Sequence, residues 1–392
     1  MTIYVDVSSA VHGKAGLKRY SESLVQALRP LLGDRLRLFQ NALGRRGPLL
    51  GWEDFPTAGT RLGYKPWRGA VLVGQWFRWP MDGLVPSAAL FHATEHLLPP
   101  FRRVRTVLTV HDLIFERFPQ YHRVKNYLYL HTAMPLFCRR ADALIAISEA
   151  TKRDLVELYR IPPERITVIP EAAAPHFRPQ GPEEVQRVRQ RYSLPKRYLL
   201  TVGTIEPRKN LTRLVQACGP LFEEGLVEAL VIVGARGWLE GDFFRYLAEC
   251  PWRDRVILAG HVQDADLPAL YAGAAVTVQP SLYEGFGLPL LEAMACGSPV
   301  CASLTSSLPE VGGEAALYFD PFVVEHITEV VRRALVDNAL AERMRRQGVQ
   351  RAQTYSWEVT ARRTLALYEQ LLGTRLTDSP SGSILTPTQG KE

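Results

Sequence analysis

The sequence predicts an α/β protein made of two doubly wound domains, each built on a parallel sheet. The chain has 392 residues, about the length of two ordinary domains. Short apolar runs alternate with amphipathic stretches along its whole length. Strands buried on both faces appear as near-continuous apolar runs, so this alternation indicates parallel sheets covered by helices. A polar, proline-rich break around residues 172–197 separates two such series.

The predicted strands form two series of six. Those of the first half are 3–7, 36–40, 89–92, 104–110, 143–147 and 166–169, and those of the second half are 198–202, 230–233, 256–258, 276–279, 299–302 and 316–319. The clearest helical patterns are 17–31, 124–137, 149–159, 323–335, 339–355 and 357–371. This order of elements is typical of Rossmann-like domains.

We therefore expect an N-terminal Rossmann-like domain at 1–175, a linker at 176–197 and a C-terminal Rossmann-like domain at 198–355. A last helix at 356–372 should pack back toward the N-terminal domain, and residues 373–392, rich in Ser, Thr, Pro and Gly, should form a disordered tail. Ligands of open parallel sheets bind at the carboxyl ends of the strands. The two domains should thus face each other across a central cleft that holds the site.

Several classes of protein are excluded by composition. No apolar run approaches the roughly 20 residues of a membrane span, and the N-terminus enters a strand without a basic, signal-like segment. We expect a cytoplasmic protein. The five cysteines form no C-x-x-C pair and are interpreted as small buried hydrophobes. The nine histidines form no zinc-ligand pattern, so neither a metal site nor a cofactor is expected.

The net charge of +7 is unevenly distributed. Residues 1–178 carry 25 Lys and Arg against 15 Asp and Glu, a charge of +10, and the rest carries −3. A basic first half favours an anionic partner such as a phosphorylated acceptor or the headgroups of an anionic membrane. The alternative is arginine-rich coding, since 39 of the 47 cations are Arg. No nucleic-acid-binding motif is present, so nucleic acid is not an expected partner.

The strongest motif is the segment 280–297, P-S-L-Y-E-G-F-G-L-P-L-L-E-A-M-A-C-G. It follows a predicted strand, turns on Gly285 and Gly287, and begins a helix near Leu288. Glycines permit a close approach of the backbone to a ligand, and free amides at a helix start bind anions. Glu284 and Glu292 can accept hydrogen bonds from sugar hydroxyls. A glycine turn followed by a glutamate that stabilises the helix dipole is the structural alternative.

A second motif, T-V-G-T-I-E-P-R-K-N-L, follows the predicted strand 198–202. It places Arg208 and Lys209 just before a helical pattern, where two cations beside a helix N-terminus can bind an anion. Taken alone, two such cations in a loop are more often solvated.

Two weaker signals lie in the first half. His111 ends a buried strand pattern, where it is either a core histidine or a ligand contact. The first turn carries Gly13 and Gly16 before a helix, but not in the G-x-G-x-x-G spacing of nicotinamide-binding proteins. Asp264 and Asp266 form a D-x-D pattern that we interpret as helix capping rather than a metal motif.

Together these segments resemble the retaining family-4 glycosyltransferases, which have the GT-B fold and an E-x7-E signature. Glu284-x7-Glu292 matches that signature, and the likeness covers residues 1–372 in order. The resemblance implies that the turn after 198–202 binds diphosphate, that His111 contacts the donor sugar and that Gly13 or Gly16 approaches the phosphates. Many family members have Arg directly after the glycine equivalent to Gly203, whereas this chain has Thr204.

The resemblance further implies a metal-independent hexosyltransferase that uses a UDP- or GDP-sugar, mannose or glucose, and a glycan or lipid-linked acceptor. Glu292 would hold the ribose and Val262 would lie against the base. Glu284, with the backbone of Gly285, Phe286, Gly287 and Leu288, would hold the sugar and phosphate. Arg208 and Lys209 would take up the charge of the leaving diphosphate. The alternatives are a sugar-nucleotide epimerase on the same fold and a non-catalytic sugar-nucleotide-binding protein.

Overall fold

A computed structural model of the chain describes residues 1–13, 15–44 and 51–376. In these ranges the strands form two fully parallel sheets, one within residues 2–168 and one within residues 198–319. Both sheets are covered by helices on their faces, which explains why their central strands are almost wholly buried, whereas their edge strands are partly exposed. The predicted fold class, two doubly wound α/β domains, is confirmed.

The first sheet has seven strands in the order β3-β2-β1-β4-β5-β6-β7. The strands are β1 (Thr2–Asp6), β2 (Leu36–Gln40), β3 (Thr57–Gly59), β4 (Ala88–Ala93), β5 (Arg105–Val110), β6 (Ala143–Ala146) and β7 (Ile166–Val168). In the register, Ile3 of β1 lies between Leu36 and Leu90 of its neighbours. The strand order reverses between β1 and β4, and a crevice opens at such a reversal. The short edge strand β3 has no counterpart in the predicted series.

The second sheet has six strands in the order β10-β9-β8-β11-β12-β13. They are β8 (Tyr198–Val202), β9 (Ala229–Val233), β10 (Val256–Gly260), β11 (Val276–Gln279), β12 (Val300–Ser303) and β13 (Ala316–Phe319). Here the order reverses between β8 and β11. The two strongest sequence motifs directly follow these two strands, so the topology brings them together at the reversal.

The helices cover both sheets and the ends of the chain. They are α1 (Ser8–Val11), α2 (Ala15–Leu32), α3 (Tyr64–Phe77), α4 (Ile114–Arg117), α5 (Val124–Arg140), α6 (Glu149–Tyr159), α7 (Pro182–Arg191), α8 (Leu211–Glu223), α9 (Gly241–Glu249), α10 (Leu267–Gly273), α11 (Leu288–Ala295), α12 (Leu308–Gly312), α13 (Val324–Val336), α14 (Asn338–Gln353) and α15 (Trp357–Leu372). No helix in the described ranges is both long and apolar enough to cross a bilayer.

The segment between the sheets and the end of the chain tie the two domains together. The segment 176–197, expected as a linker, contains α7, which packs against α10 of the second domain. Helix α15 packs against α2 of the first domain, and the buried Tyr368 hydroxyl lies 2.6 Å from His92 Nδ1. Part of the expected tail is also packed, since Leu376 is buried and its carbonyl accepts a hydrogen bond from Arg35. Residues 377–392 of that tail lie outside the described ranges.

The five cysteines are all buried and unpaired, which agrees with their interpretation as small hydrophobes. The largest apolar cluster runs without interruption from β1 and α2 through α15 to α11, so the two domains share one continuous body of apolar contacts.

Candidate active site

The site lies where the loops after β8 and β11 meet. A backbone hydrogen bond of 2.8 Å runs from the Leu282 amide to the Arg208 carbonyl and joins the two loops. Gly203 allows this approach, because its φ is +152° and a side chain there would press on the stem of Lys209 at 3.0 Å. The turn after β8 thus brings both predicted cations over the β11 loop.

Glu284 is the centre of this arrangement. Its Oε2 accepts a hydrogen bond from Arg208 Nη1 at 2.7 Å, and its Oε1 accepts one from Lys209 Nζ at 2.5 Å. Oε1 also accepts from Ser281 Oγ at 2.6 Å and from Gln279 Nε2 at 2.9 Å. Four donors therefore fix a carboxylate that is almost wholly buried.

Burial and mutual charge interactions shift the pKa values of the residues in this cluster. Burial alone would raise the pKa of Glu284, but Arg208 and Lys209 hold it well below its usual range. Burial, and next the Arg208 charge, lower the pKa of Lys209. Arg208 also forms an ion pair with Glu206 at 2.5 Å between Nε and Oε1. The cluster holds two cations and two carboxylates, so its formal charge is zero, and an incoming phosphate would compete with Glu284 for Arg208 and Lys209.

The backbone after Glu284 supplies further donors. The Gly287 N-cap of α11 has φ +103°, which turns the chain into the helix. No acceptor within the described ranges contacts the amides of Gly285, Phe286, Gly287 or Leu288. Four free amides at a helix N-terminus form a site for a phosphate or for sugar oxygens. The Phe286 ring itself points into the core, 5.6 Å from Tyr355, so only its backbone can serve a ligand.

Gly285 is also the place where the second domain contacts the first. Its carbonyl accepts hydrogen bonds from Ser148 Oγ at 2.6 Å and from Thr151 Oγ1 at 3.4 Å. A β-carbon at Gly285 would lie 2.0 Å from the His111 carbonyl oxygen. Only glycine fits at this position. The contact places His111, at the carboxyl end of β5, beside the Glu284 loop.

The His111 imidazole is held by two acceptors. Nε2 donates to the Thr94 carbonyl at 2.9 Å, and Nδ1 lies 3.1 Å from Glu171 Oε1. Although burial lowers the pKa of His111, its hydrogen bond and charge interaction with Glu171 outweigh that effect and raise it. An imidazole facing an acceptor at each nitrogen is stabilised as the doubly protonated cation. In this arrangement a sugar hydroxyl would have to compete with Glu171 or Thr94 for the ring.

Glu292 lies on α11 and contacts the first domain. Its Oε1 accepts a hydrogen bond from Arg19 of α2, and its Oε2 accepts one from the Tyr271 hydroxyl at 3.1 Å. Burial raises the pKa of Glu292, and the Arg19 charge opposes this. Arg19 also pairs with Asp264 at 2.8 Å, so one guanidinium binds two carboxylates of the other domain.

The remaining predicted residues, Gly13, Gly16, Thr204 and Val262, differ in their burial. Gly13 has φ +67°, which favours glycine, whereas Gly16 lies in the first turn of α2, and a β-carbon at either would meet open space. Thr204 is half-buried in the turn after Gly203. Val262 follows β10 and is buried in the apolar cluster. No described residue lies within 4 Å of a β-carbon built at Gly16, so packing within the protein does not require glycine there.

The interpretation of Asp264 and Asp266 as helix caps is wrong. Asp266 occupies the N-cap position of α10, but its carboxylate makes no capping hydrogen bond. It pairs instead with Arg187 and Arg191 of α7, each at 2.9 Å. Asp264 pairs with Arg19. The two carboxylates thus serve separate ion pairs, and the described residues contain no cluster of three or more potential metal ligands.

Several partners of the site residues were not predicted from the sequence. The sequence analysis missed Ser281 and Gln279, which bind Glu284, as well as Glu171, which binds His111. It also missed Arg19, which binds Glu292 across the cleft. Ser281 lies inside the motif 280–297 and Gln279 directly precedes it, so a closer reading of the polar residues around Glu284 would have found them. Arg19 and Glu292 are 273 positions apart, and no local pattern links them.

Comparisons with known proteins give the chain its family. A family model of the glycosyl transferases group 1 matches residues 183–351, and a model of glycosyltransferase family 4 matches residues 15–177. An O-antigen chain mannosyltransferase B of Escherichia coli is 36% identical over 285 residues, which are 72% of this chain and 74% of that protein. The chain belongs to glycosyltransferase family 4. It is a sugar-transferring enzyme, as its motifs predicted.

Solved structures give the same fold. Sucrose-phosphate synthase of Thermosynechococcus elongatus aligns with a TM-score of 0.75 at 22% identity, over 95% of this chain and 100% of that one. Anabaena HepE in complex with UDP-glucose aligns with a TM-score of 0.72 at 17% identity, over 94% of this chain and 100% of that one. The predicted GT-B fold is confirmed.

Proposed function

We propose that this glycosyltransferase is a retaining, metal-independent mannosyltransferase that uses a nucleotide-diphosphate sugar and a glycan or lipid-linked acceptor. The observation that carries the proposal is the buried Arg208–Lys209 pair, fixed by Glu284 beside four free amides at the α11 N-terminus. Mannose as the sugar is supported by the E. coli relative, which is a mannosyltransferase. A nucleotide-sugar donor is supported by HepE, whose structure contains UDP-glucose.

The cations suit a leaving diphosphate. When the bond between the anomeric carbon and the diphosphate oxygen breaks, its electron pair leaves with the diphosphate and adds negative charge there. Arg208 and Lys209 are already in place and largely desolvated, so they stabilise this charge without reorganisation. They can supply the positive charge that a divalent ion supplies in other enzymes.

The state of Glu284 favours attack by the acceptor from the face that the diphosphate leaves. A covalent nucleophile needs a free oxygen, yet both Glu284 oxygens are occupied and the pKa is held well below its usual range. We infer that Glu284 orients the two cations. The acceptor hydroxyl would form the new bond to the anomeric carbon and pass its proton to a departing phosphate oxygen, so the configuration is retained.

The donor preference is tested by incubating the enzyme with GDP-mannose or UDP-glucose in EDTA, with and without a mannan oligosaccharide. We expect nucleoside diphosphate release that depends on the oligosaccharide, with GDP-mannose preferred and an α-linked product in the NMR spectrum. Donor turnover without acceptor would indicate an epimerase or a hydrolase. A β-linked product would contradict retention, and activity only with Mg²⁺ would contradict metal independence.

The role of the cations is tested by Lys209→Ala. We expect transfer to fall by roughly 10²–10³-fold, because the loss of one preorganised contact to the transition state typically has that effect. Lys196→Ala is the matched control, since Lys196 is exposed and lies outside the cleft. A Lys209→Ala enzyme that folds and transfers sugar at the wild-type rate would contradict the assignment.

A further inference from the structure

An unusual group of aromatic side chains lies at the end of α3. Trp76, Phe77 and Trp79 are 54%, 75% and 68% exposed, and we call them the aromatic edge. Among the large exposed apolar residues of the described ranges, the only other Phe or Trp is Phe322. Large aromatic rings gain much from leaving water, so three of them within four residues indicate a binding surface.

The outward face of α3 extends this apolar surface. Val73, one turn before Phe77, is 41% exposed, whereas Trp67 and Val71 on the opposite face are buried. The helix is therefore apolar on two sides. One side packs on the sheet, and within the described ranges nothing covers the other.

A basic cavity adjoins the aromatic edge. It has a volume of about 690 Å³ and is lined in part by five arginines, which define the arginine pocket: Arg78, Arg102, Arg103, Arg105 and Arg140. Asp142 in its wall pairs with Arg105 at 2.8 Å and accepts two hydrogen bonds from Thr106. The other four arginines form no ion pair with any carboxylate of the described ranges. Four positive charges are thus left for an external anion.

The aromatic edge and the arginine pocket form one surface. Arg78 lies in the sequence between Phe77 and Trp79, and its carbonyl accepts a hydrogen bond from Arg102 at 3.4 Å. Arg140 donates to Gln75 Oε1 of α3 at 2.9 Å. Burial lowers the pKa of Arg140, and the neighbouring Arg78 charge lowers it further.

This surface is separate from the active site. Arg105 begins β5 and His111 directly follows its last residue, so the pocket and the cleft lie at opposite ends of that strand. At ~3.3 Å per residue the separation is about 20 Å. A partner bound here leaves the cleft open.

We propose that the aromatic edge and the arginine pocket dock this protein on an anionic phospholipid membrane. The arginines bind lipid phosphates, and the rings of Trp76, Phe77 and Trp79 enter the interfacial layer, where aromatic side chains with basic neighbours are favoured. The proposal does not depend on the identity of the donor or the acceptor.

Two other occupants fit the surface less well. A second copy related by a two-fold axis would bring four unpaired arginines against the same four, and like charges repel. Single-stranded nucleic acid also binds basic and aromatic surfaces, but bases stacked on the rings would leave the exposed aliphatic Val73 in water, whereas the interfacial layer of a membrane would cover it.

The test is co-sedimentation of the full chain with vesicles of phosphatidylcholine alone or mixed in equal parts with phosphatidylglycerol. We expect binding only to the anionic vesicles, weakening as salt rises. Arg102→Ala/Arg103→Ala should weaken it by about fivefold for each arginine removed. Trp76→Ala/Phe77→Ala/Trp79→Ala should weaken it by about 100-fold, roughly fivefold for each partly buried ring. All five residues are exposed, so the fold should survive.

The matched controls lie on the second domain. Phe322→Ala removes an exposed ring, and Arg333→Ala/Arg343→Ala removes two exposed arginines of α13 and α14. Both should bind vesicles like the wild type, and every variant should keep wild-type nucleotide binding. No binding to anionic vesicles would overturn the proposal, as would equal binding by the variants of the docking surface. The proposal would also be overturned if the variants of the docking surface bound vesicles normally but lost self-association or oligonucleotide binding.

Discussion

Replacing Gly285 with alanine tests whether the contact between the two domains is needed for transfer. The added β-carbon would lie 2.0 Å from the His111 carbonyl oxygen and 3.1 Å from Asp112 Cβ. Real β-carbons essentially never approach a neighbour within 3.0 Å, so the loop or the domain has to move by at least 3.0 − 2.0 = 1.0 Å. That shift stretches the hydrogen bonds from Ser148 and Thr151 to the Gly285 carbonyl.

The expected effect follows from this geometry. Each stretched hydrogen bond is worth about 1 kcal/mol, so the contact between the two domains should be weakened by roughly 1–2 kcal/mol. Glu284 is the neighbouring residue, and a misplacement of ~1 Å can reduce a rate by about 10²-fold. We therefore expect kcat/KM to fall by about 10²-fold. The melting temperature should fall by only a few degrees, because roughly 1–2 kcal/mol is small against the unfolding enthalpy of a chain of this length.

The assay is steady-state transfer, with small-angle scattering to follow the opening of the cleft. Gly181→Ala is the matched control, because Gly181 has φ −69° and a β-carbon there meets nothing within 4 Å. It should behave like the wild type. A Gly285→Ala enzyme with wild-type kcat/KM and a wild-type scattering profile would refute the argument that this contact organises the site.

Three further predictions concern single side chains. Glu284→Gln should reduce kcat by roughly 10²–10³-fold with an intact fold, whereas the exposed Glu314→Gln should not, and turnover assays with thermal melts check this. Arg19→Met should lower the free energy of unfolding by about 1–2 kcal/mol in urea titrations. This is less than the loss expected on breaking a fully buried ion pair, because the Arg19 side chain is 30% exposed. Burial, with a smaller effect of His111, lowers the pKa of His92 to about 3. The unfolded chain therefore binds an extra proton below pH ~6.5, and stability is lost as the pH falls from there toward 3. His92→Gln should remove roughly 2 kcal/mol of the stability difference between pH 7 and pH 5, and an unchanged difference would contradict a neutral buried His92.

The elements that carry strong periodicity were predictable from the sequence. The helix expected to begin near Leu288 is α11, which begins at that residue, and the strands 198–202 and 276–279 are β8 and β11. These strands are buried on both faces, so their apolar runs are continuous and their ends are marked by glycine or proline. The topology then requires the two following loops to meet, which is why the Glu284 site could be predicted from two local motifs.

Helix α3 was missed for a physical reason. Val73, Trp76 and Phe77 make its outward face apolar, so the alternation of apolar and polar residues that marks a surface helix is lost. Helix α7 was missed because its charge and the prolines around it are typical of a linker, although Val188 packs into the core. In both helices the composition of the exposed side hides the helical periodicity, although the backbone is helical.

The partners across the cleft were beyond local prediction. Arg19 contacts Glu292, and Ser148 contacts Gly285, over separations of 273 and 137 positions. Such pairs depend on how two complete domains pack, which no motif or periodicity encodes.

The central claim is that Arg208, Lys209 and the amides before α11 form a metal-free site for a nucleoside diphosphate. Calorimetric titration of the protein with GDP, UDP and ADP in EDTA tests it most directly. The account predicts that one of them binds, with GDP favoured, and that Lys209→Ala weakens that binding while Lys196→Ala does not. No binding by any of the three, or binding only after Mg²⁺ is added, would contradict it.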